Sequence, residues 1–242
     1  MHDDKTDQML TRDEKALTVM AHDIKTPLTA IVSMLGVIKK GYVDDDAEKI
    51  KDLVTRSMKQ AESLIAMLDD ILDYALLADK SKVNREPVHL SDVFKDSISV
   101  MRTYVDQKQI LFTYAPDLGN EKYIYGNRTF LLRAFNNILM NAVKYNKEQG
   151  SITINCRENN HNNIIITFAD TGIGIPEEDL EKVFKIFERG RQARKNLDGS
   201  LGLGLSLVKQ IIDFHFGEIA MNSIVDRGTT ITVTLPLYKK EK

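Results

Sequence analysis

From Leu10 onward, apolar residues return every seven positions, at Leu17, Ile24, Ile31 and Ile38, with Met20, Leu28, Met34 and Leu35 widening the stripe. A seven-residue repeat is the period of a helix whose seam faces another helix, so one long helix is expected here. The stretch Gly41-Tyr42-Val43-Asp44-Asp45-Asp46 interrupts it as a turn. Beyond it Ile50, Val54, Ser57, Ala61, Leu64, Leu68, Ile71, Ala75 and Ala78 follow at steps of four and three, which predicts a second, antiparallel helix. Stripes this wide exceed what a lone hairpin can cover. Two copies joined in a four-helix bundle bury them more economically than a second domain folded back on the same chain. The expectation is an all-α antiparallel helical hairpin, residues 1–80, that forms a homodimer.

Around Asp79-Lys80-Ser81-Lys82-Val83-Asn84-Arg85-Glu86-Pro87 the heptads stop and the composition turns charged, so a linker is expected over 81–87 and a second domain over 88–242. There the period mixes. A helix is predicted from Ser91, with Ser91 and Asp92 as caps, then an alternating segment Ile110 to Tyr114 and a helix from Asn127 to about Tyr145. Strands are predicted at Ile152 to Cys156 and Ile164 to Phe168, a helix at Gly202 to Phe214, and strands near Glu218 to Met221 and Thr229 to Leu235. Without regular βα alternation, an α+β sandwich with helices on one sheet face is the expected architecture.

Composition narrows the function classes. An apolar fraction of 43% suffices for real cores, and 28% charged residues with a net charge of −2 give no basic face for nucleic acid and no polybasic run for an anionic membrane. The single cysteine, Cys156, excludes an internal disulfide and fits a reducing, cytoplasmic setting. Apolar runs such as Ile164-Ile165-Ile166 and Ala75 to Ala78 fall far short of the roughly 20 residues of a membrane helix. The acidic start Met1-His2-Asp3-Asp4 does not read as a signal peptide. A soluble protein and the cytoplasmic portion of a membrane-bound sensor would look the same.

The first helix carries His22-Asp23-Ile24-Lys25-Thr26-Pro27. With Leu10, Leu17, Ile24, Ile31 and Ile38 at the seam, His22 falls on the opposite, solvent-facing side. Asp23 offers a carboxylate to one ring nitrogen, which would leave a lone pair on the other for an electrophile. Thr26, four residues on, shares the face of His22 and could aim a water. Pro27 lacks the amide that would bond to the carbonyl of Asp23, so a bend is expected beside the histidine. One histidine with one adjacent aspartate lacks the convergent ligands that zinc requires.

The P-loop and the protein-kinase signatures are absent. Instead, Phe135-Asn136-Asn137-Ile138-Leu139-Met140-Asn141-Ala142-Val143-Lys144-Tyr145 sets Asn137 and Asn141 four apart on one helical face, with Lys144 three further on. Amide oxygens can ligate Mg²⁺, and Lys144 offers a point charge to phosphates. Asp170-Thr171-Gly172-Ile173-Gly174-Ile175-Pro176 follows a strand, so the acceptor Asp170 sits at a strand end beside glycines that allow close backbone approach. Gly199-Ser200-Leu201-Gly202-Leu203-Gly204-Leu205 opens a helix whose free amides favour phosphate oxygens.

Taken together, these segments resemble sensor histidine kinases. His22 to Leu28 is similar to their phosphoacceptor box, the three later segments to their asparagine box and two glycine boxes, and Phe184-Lys185-Ile186-Phe187-Glu188-Arg189 to their phenylalanine box. The resemblance implies an ATP-binding domain of the histidine kinase, heat-shock chaperone and topoisomerase ATPase type. It implies His22 as the phosphorylated residue, Asp23 as its acidic partner, and Thr26 as the residue that orients water for dephosphorylating the response regulator. Asn141, with Asn137 beside it, would hold Mg²⁺. Lys144, Tyr145, Gly172, Gly174, Ile175, Gly202, Leu203, Gly204 and Leu205 would line the ATP site, Asp170 would accept the adenine amine, and Arg189 would approach the transferred phosphate. The chain departs from the common pattern at Asp23, where Glu is usual, at Ile24 and Lys25 in place of Leu and Arg, and at Gly190-Arg191-Gln192-Ala193-Arg194-Lys195, which replaces an aromatic-rich ending.

The implied function is an ATP-dependent protein histidine kinase that passes its phosphoryl group to the receiver domain of a response regulator and also acts as its phosphatase. A conformational ATPase sharing the nucleotide site, and a dimeric scaffold without catalysis, are the alternatives. The stimulus and the paired regulator are not written in the chain.

Overall fold

The computed structural model describes residues 12–79, 83–116, 122–185 and 202–239. It divides into a helical unit that runs to Asp69 and an α/β unit that begins at Asp70.

Helix α1 (Arg12–Lys39) and helix α2 (Ala47–Ala78) follow the seven-residue pattern. The turn between them depends on Gly41, at φ +72°, where a Cβ would stand 2.7 Å from the Asp44 carboxylate. Asp46 accepts the Lys49 N–H at 2.9 Å and so satisfies an amide at the start of α2. Pro27, Ser57 and Met67 are buried, and Ile24, Ile31, Met34, Ile38, Leu53 and Leu64 are partly covered. Val54 and Leu68, expected in the seam, are instead exposed. With Met58, Ile65 and Leu72 they continue an outward apolar row, matched on α1 by Leu28, Val32 and Leu35, with Val32 at 63% and Ile65 at 59% exposure. A heptad pattern establishes that a stripe exists, but not which neighbour covers each row.

In the α/β unit, a five-stranded sheet has the order β2-β4-β5-β7-β6. Its strands are β2 (Leu111–Pro116), β4 (Ser151–Glu158), β5 (Asn163–Asp170), β6 (Glu218–Ile224) and β7 (Gly228–Pro236). Only β2 and β4 run parallel; the other pairs are antiparallel. Helices α3 (Leu90–Gln107), α4 (Arg128–Lys144) and α6 (Gly204–Phe214) supply the other half of the core. Phe94 stacks on Phe135 at 4.9 Å, and Phe135 meets Phe168 of β5 at 5.5 Å. Period-two alternation sends Ile164, Ile166 and Phe168 inward, while Thr153, Thr167, Thr230 and Thr232 remain on the open side.

A two-stranded ribbon of β1 (Glu86–His89) and β3 (Tyr123–Gly126) was not anticipated. Glu86 and Pro87 of the expected linker open β1, where Val88 pairs with Ile124 in the core. The capping expectation at α3 is corrected as well. That helix starts at Leu90, its cap residue His89 makes no side-chain capping bond, and Ser91 and Asp92 lie near the His89 ring. A short helix α5 (Glu177–Leu180) leads into a 3₁₀ turn at Lys182–Phe184.

Candidate functional site

The α/β unit brings together the last turn of α4, the end of β5, the start of β7 and the start of α6. Helix α4 begins on Asn127, whose side chain accepts the Phe130 N–H at 3.1 Å. Its apolar face, including Leu131, Phe135, Ile138 and Leu139, is buried, leaving Asn137, Asn141 and Lys144 partly exposed on the neighbouring face. The Asn137 side-chain nitrogen is buried without a partner. A buried amide lacking a partner is costly unless a ligand or water completes it.

Residues that the sequence reading passed over hold the end of α4 in place. Lys108 Nζ donates to the carbonyls of Val143 and Lys144, each at 2.9 Å, and of Asn146 at 3.3 Å, covering orphan acceptors at the negative end of the helix dipole. Asn146 is buried; it donates to the Ser151 carbonyl and accepts the Thr171 hydroxyl. Thr171 in turn accepts the Ser151 N–H at 2.8 Å. The loop after β5 is thereby tied to α4, and Ile173 N–H completes the tie by donating to the Tyr145 carbonyl at 3.0 Å. Lys144 Nζ lies 5.1 Å from the Tyr145 ring centre.

Asp170 stands at the end of β5. Its Oδ1 accepts the Gly172 N–H at 2.8 Å and the Thr229 N–H at 3.2 Å, and Oδ2 accepts from no described residue. Burial raises the carboxyl above its ordinary range, opposed by the two backbone bonds. Close approach explains two glycines here. A Cβ on Gly172 would lie 2.3 Å from the Tyr145 carbonyl, and one on Gly174, at φ +67°, would lie 2.1 Å from the Ile224 carbonyl. Ile175 N–H donates to the Ser223 hydroxyl at 2.8 Å.

Helix α6 follows Gly202, at φ +69°, and the buried Leu203, with Leu205 partly covered in its first turn. Leu203 provides no side-chain cap, so the opening amides remain available to an anion. At Gly204 the nearest atom to an added Cβ would be Asn137 Oδ1, at 3.7 Å, so this helix start and the asparagine face adjoin.

Among the described residues no three His, Cys, Asp or Glu side chains form a metal cage. Amide oxygens beside phosphate-binding amides suit a hard divalent cation that arrives with phosphates and keeps waters, as Mg²⁺ does. The side-chain amides of Asn137 and Asn141 are donors of that type, and Asn137 Oδ1 adjoins the start of α6.

In the helical unit, the His22 side chain is 78% exposed and its Nδ1 lies 3.2 Å from Asp23 Oδ1. The contact between consecutive helical residues is made as expected. Thr26 donates its hydroxyl proton to the His22 carbonyl at 3.0 Å, so its oxygen offers lone pairs, not a proton. Pro27 lies inside α1. Arg189 and the end of the expected phenylalanine box lie outside the described residues.

Comparison with known proteins agrees with this division. Residues 13–79 match the family described as His Kinase A (phospho-acceptor) domain. Residues 126–239 match the family described as Histidine kinase-, DNA gyrase B-, and HSP90-like ATPase. The sensor histidine kinase WalK of Bacillus subtilis is 32% identical over 229 residues, covering 92% of this chain and 36% of that protein. The adaptive-response sensory kinase SasA of Crocosphaera subtropica is 28% identical over 238 residues, covering 96% of this chain and 61% of that protein. The chain thus spans less than two thirds of the length of these curated relatives. Among solved structures, the histidine kinase ThkA in complex with the response regulator protein TrrA superposes with a TM-score of 0.70 at 22% identity, covering 92% of this chain and 61% of that one.

Proposed function

From the premise that this chain belongs to the sensor histidine kinases, we propose that it binds ATP in its α/β unit, phosphorylates its own His22 and passes the phosphoryl group to an aspartate of a response regulator. The observation that carries this reading is the His22–Asp23 pair on an exposed helix face, in one chain with a site where Asp170, the asparagine face of α4 and the uncapped start of α6 converge.

With Nδ1–H donating to Asp23, the His22 lone pair resides on Nε2. This nitrogen attacks the γ-phosphorus of ATP; the N–P bond forms as the bond to the β,γ-bridging oxygen breaks, and ADP leaves. Asp23 holds the ring and stabilises the positive charge it acquires. Asp170 Oδ2 accepts the exocyclic amine of adenine, and the start of α6, Gly202 to Leu205, faces the phosphates. Gly172, Gly174 and Ile175 shape the base pocket, while Lys144 and Tyr145 border the nucleotide. When bound through Asn141 and Asn137, Mg²⁺ neutralises phosphate charge. Arg189 is assigned the transferred phosphate as its partner.

Phosphohistidine then serves as donor to a receiver aspartate. The ThkA–TrrA complex is the precedent for a regulator bound by a kinase of this fold. Thr26, with lone pairs beside His22, orients water for the phosphatase reaction. The outward apolar rows of α1 and α2 pair with those of a second copy in a four-helix bundle. The proposed division is a phosphotransfer hairpin to residue 80, a linker that ends before β1, and an ATP-binding domain from Glu86. No described helix is long and apolar enough to cross a membrane, and a cytoplasmic setting is the proposed one.

The test is autophosphorylation with γ-labelled ATP followed by mapping of the modified residue. Acid-labile, base-stable label on His22 is expected; ATP turnover without label would favour a conformational ATPase.

A further inference from the structure

Three side chains stand in one row across adjacent strands. Register pairs Phe168 with Ile231 and Ala169 with Thr230, which sets Asp170 beside Thr229, and Thr229 pairs directly with Ser223 of β6. Period-two alternation keeps all three on the helix-facing side, with Phe168, Ile231 and Met221. Asp170 and Thr229 are joined by the Thr229 N–H, and Ser223 closes the row through its hydroxyl.

The hydrogen positions along this row follow from counting protons. Ser223 Oγ has one. It lies 2.9 Å from the Gly228 carbonyl, which can only accept, so Ser223 donates there. The Ile175 N–H points at the same oxygen from 2.8 Å and takes one of its lone pairs. Thr229 Oγ1, 2.8 Å away, must therefore be the donor in its contact with Ser223. No other partner of Thr229 Oγ1 is found among the described residues, so its lone pairs remain and its proton is engaged. Beside it, Asp170 Oδ2 is also an acceptor. The row presents acceptors only.

We propose that Ser223 is a positioning residue for base specificity: by taking the Thr229 proton it makes the Asp170–Thr229 edge acceptor-only, so that the site selects a 6-amino purine and rejects a 6-oxo purine. This rests on the nucleotide-site reading above and extends it to a residue that does not touch the base. An exocyclic amine supplies protons to such an edge. At the 6-position an oxo group sets lone pairs against lone pairs, and the only proton on that edge, on the adjoining N1, cannot serve the oxo oxygen. If Thr229 were free to rotate, its hydroxyl could donate to the 6-oxo oxygen and discrimination would fall. A site built to bond one polar group discriminates strongly because the wrong analogue leaves buried groups unpaired.

ATP and ITP differ on the base edge at the 6-position and its adjoining nitrogen, so the test is calorimetric binding of each to the whole chain with Mg²⁺. The wild-type chain should prefer ATP. Ser223→Ala should lower ATP affinity, since Ile175 loses its acceptor, yet narrow the ATP:ITP ratio by about tenfold, the effect of one recovered hydrogen bond. Thr229→Val added to Ser223→Ala should restore the ratio by removing the freed proton, and Ser223→Thr should keep it. Ser223→Cys, which preserves volume with a weak sulfur partner, gives the same comparison if the alanine variant fails to fold. Equal losses for ATP and ITP in both Ser223 variants would overturn the proposal. If Asp170→Asn abolishes the preference while the Ser223 variants leave it intact, the base-site reading stands and the Ser223 role alone fails. A wild-type chain that binds ATP and ITP equally would overturn both.

Discussion

The imidazole Nε2 of His215 accepts the backbone N–H of Asn127 at 3.0 Å, joining the end of α6 to the cap of α4. Its Nδ1–H donates to the Ile211 carbonyl at 2.7 Å, so the ring is neutral with both nitrogens satisfied. Gly126 makes room for it, since a Cβ there would lie 2.1 Å from the ring. Burial, ahead of the nearby Arg85 charge, lowers the His215 pKa to about 4 from an ordinary 6.5.

The sign of the resulting pH dependence follows. The unfolded chain takes up the proton first, so the stabilising contribution of neutral His215 is complete above pH 6.5 and is lost as pH falls toward 4. The full difference is on the order of 3 kcal/mol, with roughly 2 kcal/mol gone by pH 5. Urea unfolding at pH 7.5 and pH 5 should show this loss, and His215→Gln should flatten that part of the profile.

Lys108 holds three carbonyls at the end of α4, which carries Asn137 and Asn141. Lys108→Met keeps the stem and removes the donors. Unfolding free energy should fall by about 1.5–3 kcal/mol, the range for hydrogen bonds to a charged group. Nucleotide affinity should fall with it, because the loop bonded to the Tyr145 carbonyl loses its support. Unchanged stability in denaturant titration would show that water replaces the ammonium at no cost.

Gly172→Ala tests the close approach to the Tyr145 carbonyl in the proposed base pocket. The added methyl would overlap the Tyr145 carbonyl, which is backbone and cannot yield as a flexible side chain does, and would press on Asp170 Oδ1 at 2.9 Å. The loop must shift, taking with it the Gly172 N–H that orients Asp170. ATP binding should weaken by at least about tenfold, consistent with a displaced charge-assisted bond, while chemical phosphorylation of the exposed His22 by phosphoramidate should be unchanged. Calorimetry and chemical phosphorylation separate the two effects.

Long-period features were legible in the chain because they repeat. The heptads located both helices, and alternation located the strands of the five-stranded sheet. What escaped notice depended on register and tertiary contact. Thr229 and Ser223 read as ordinary strand residues until pairing sets them beside Asp170. Lys108 reads as a surface charge until the end of α4 arrives beside it. The ribbon strands β1 and β3, each four residues long, are too short for alternation to stand out from a charged connection. The placement of Asn141 on a helix and of Asp170 at a strand end was legible because helical spacing and a strand end are fixed within a few residues of sequence.

The outward row Val54, Met58, Ile65, Leu68 and Leu72 bears on assembly. These positions are separated by four, seven, three and four residues, so they form one continuous face of α2. Exposed as they are, they represent an apolar surface that a second hairpin can remove from water, at roughly 25 cal/mol per Å². Ile65→Glu places a charge at the middle of that face. In a dimer the charge would be desolvated in both copies at the middle of an apolar face, which is strongly unfavourable. In the monomer it would sit in water at little cost, as surface substitutions do. Sedimentation equilibrium should therefore show the wild-type chain as a dimer and the Ile65→Glu chain shifted to monomer, with ATP affinity of the α/β unit unchanged. A variant that remains dimeric would place the interface on another face of the hairpin.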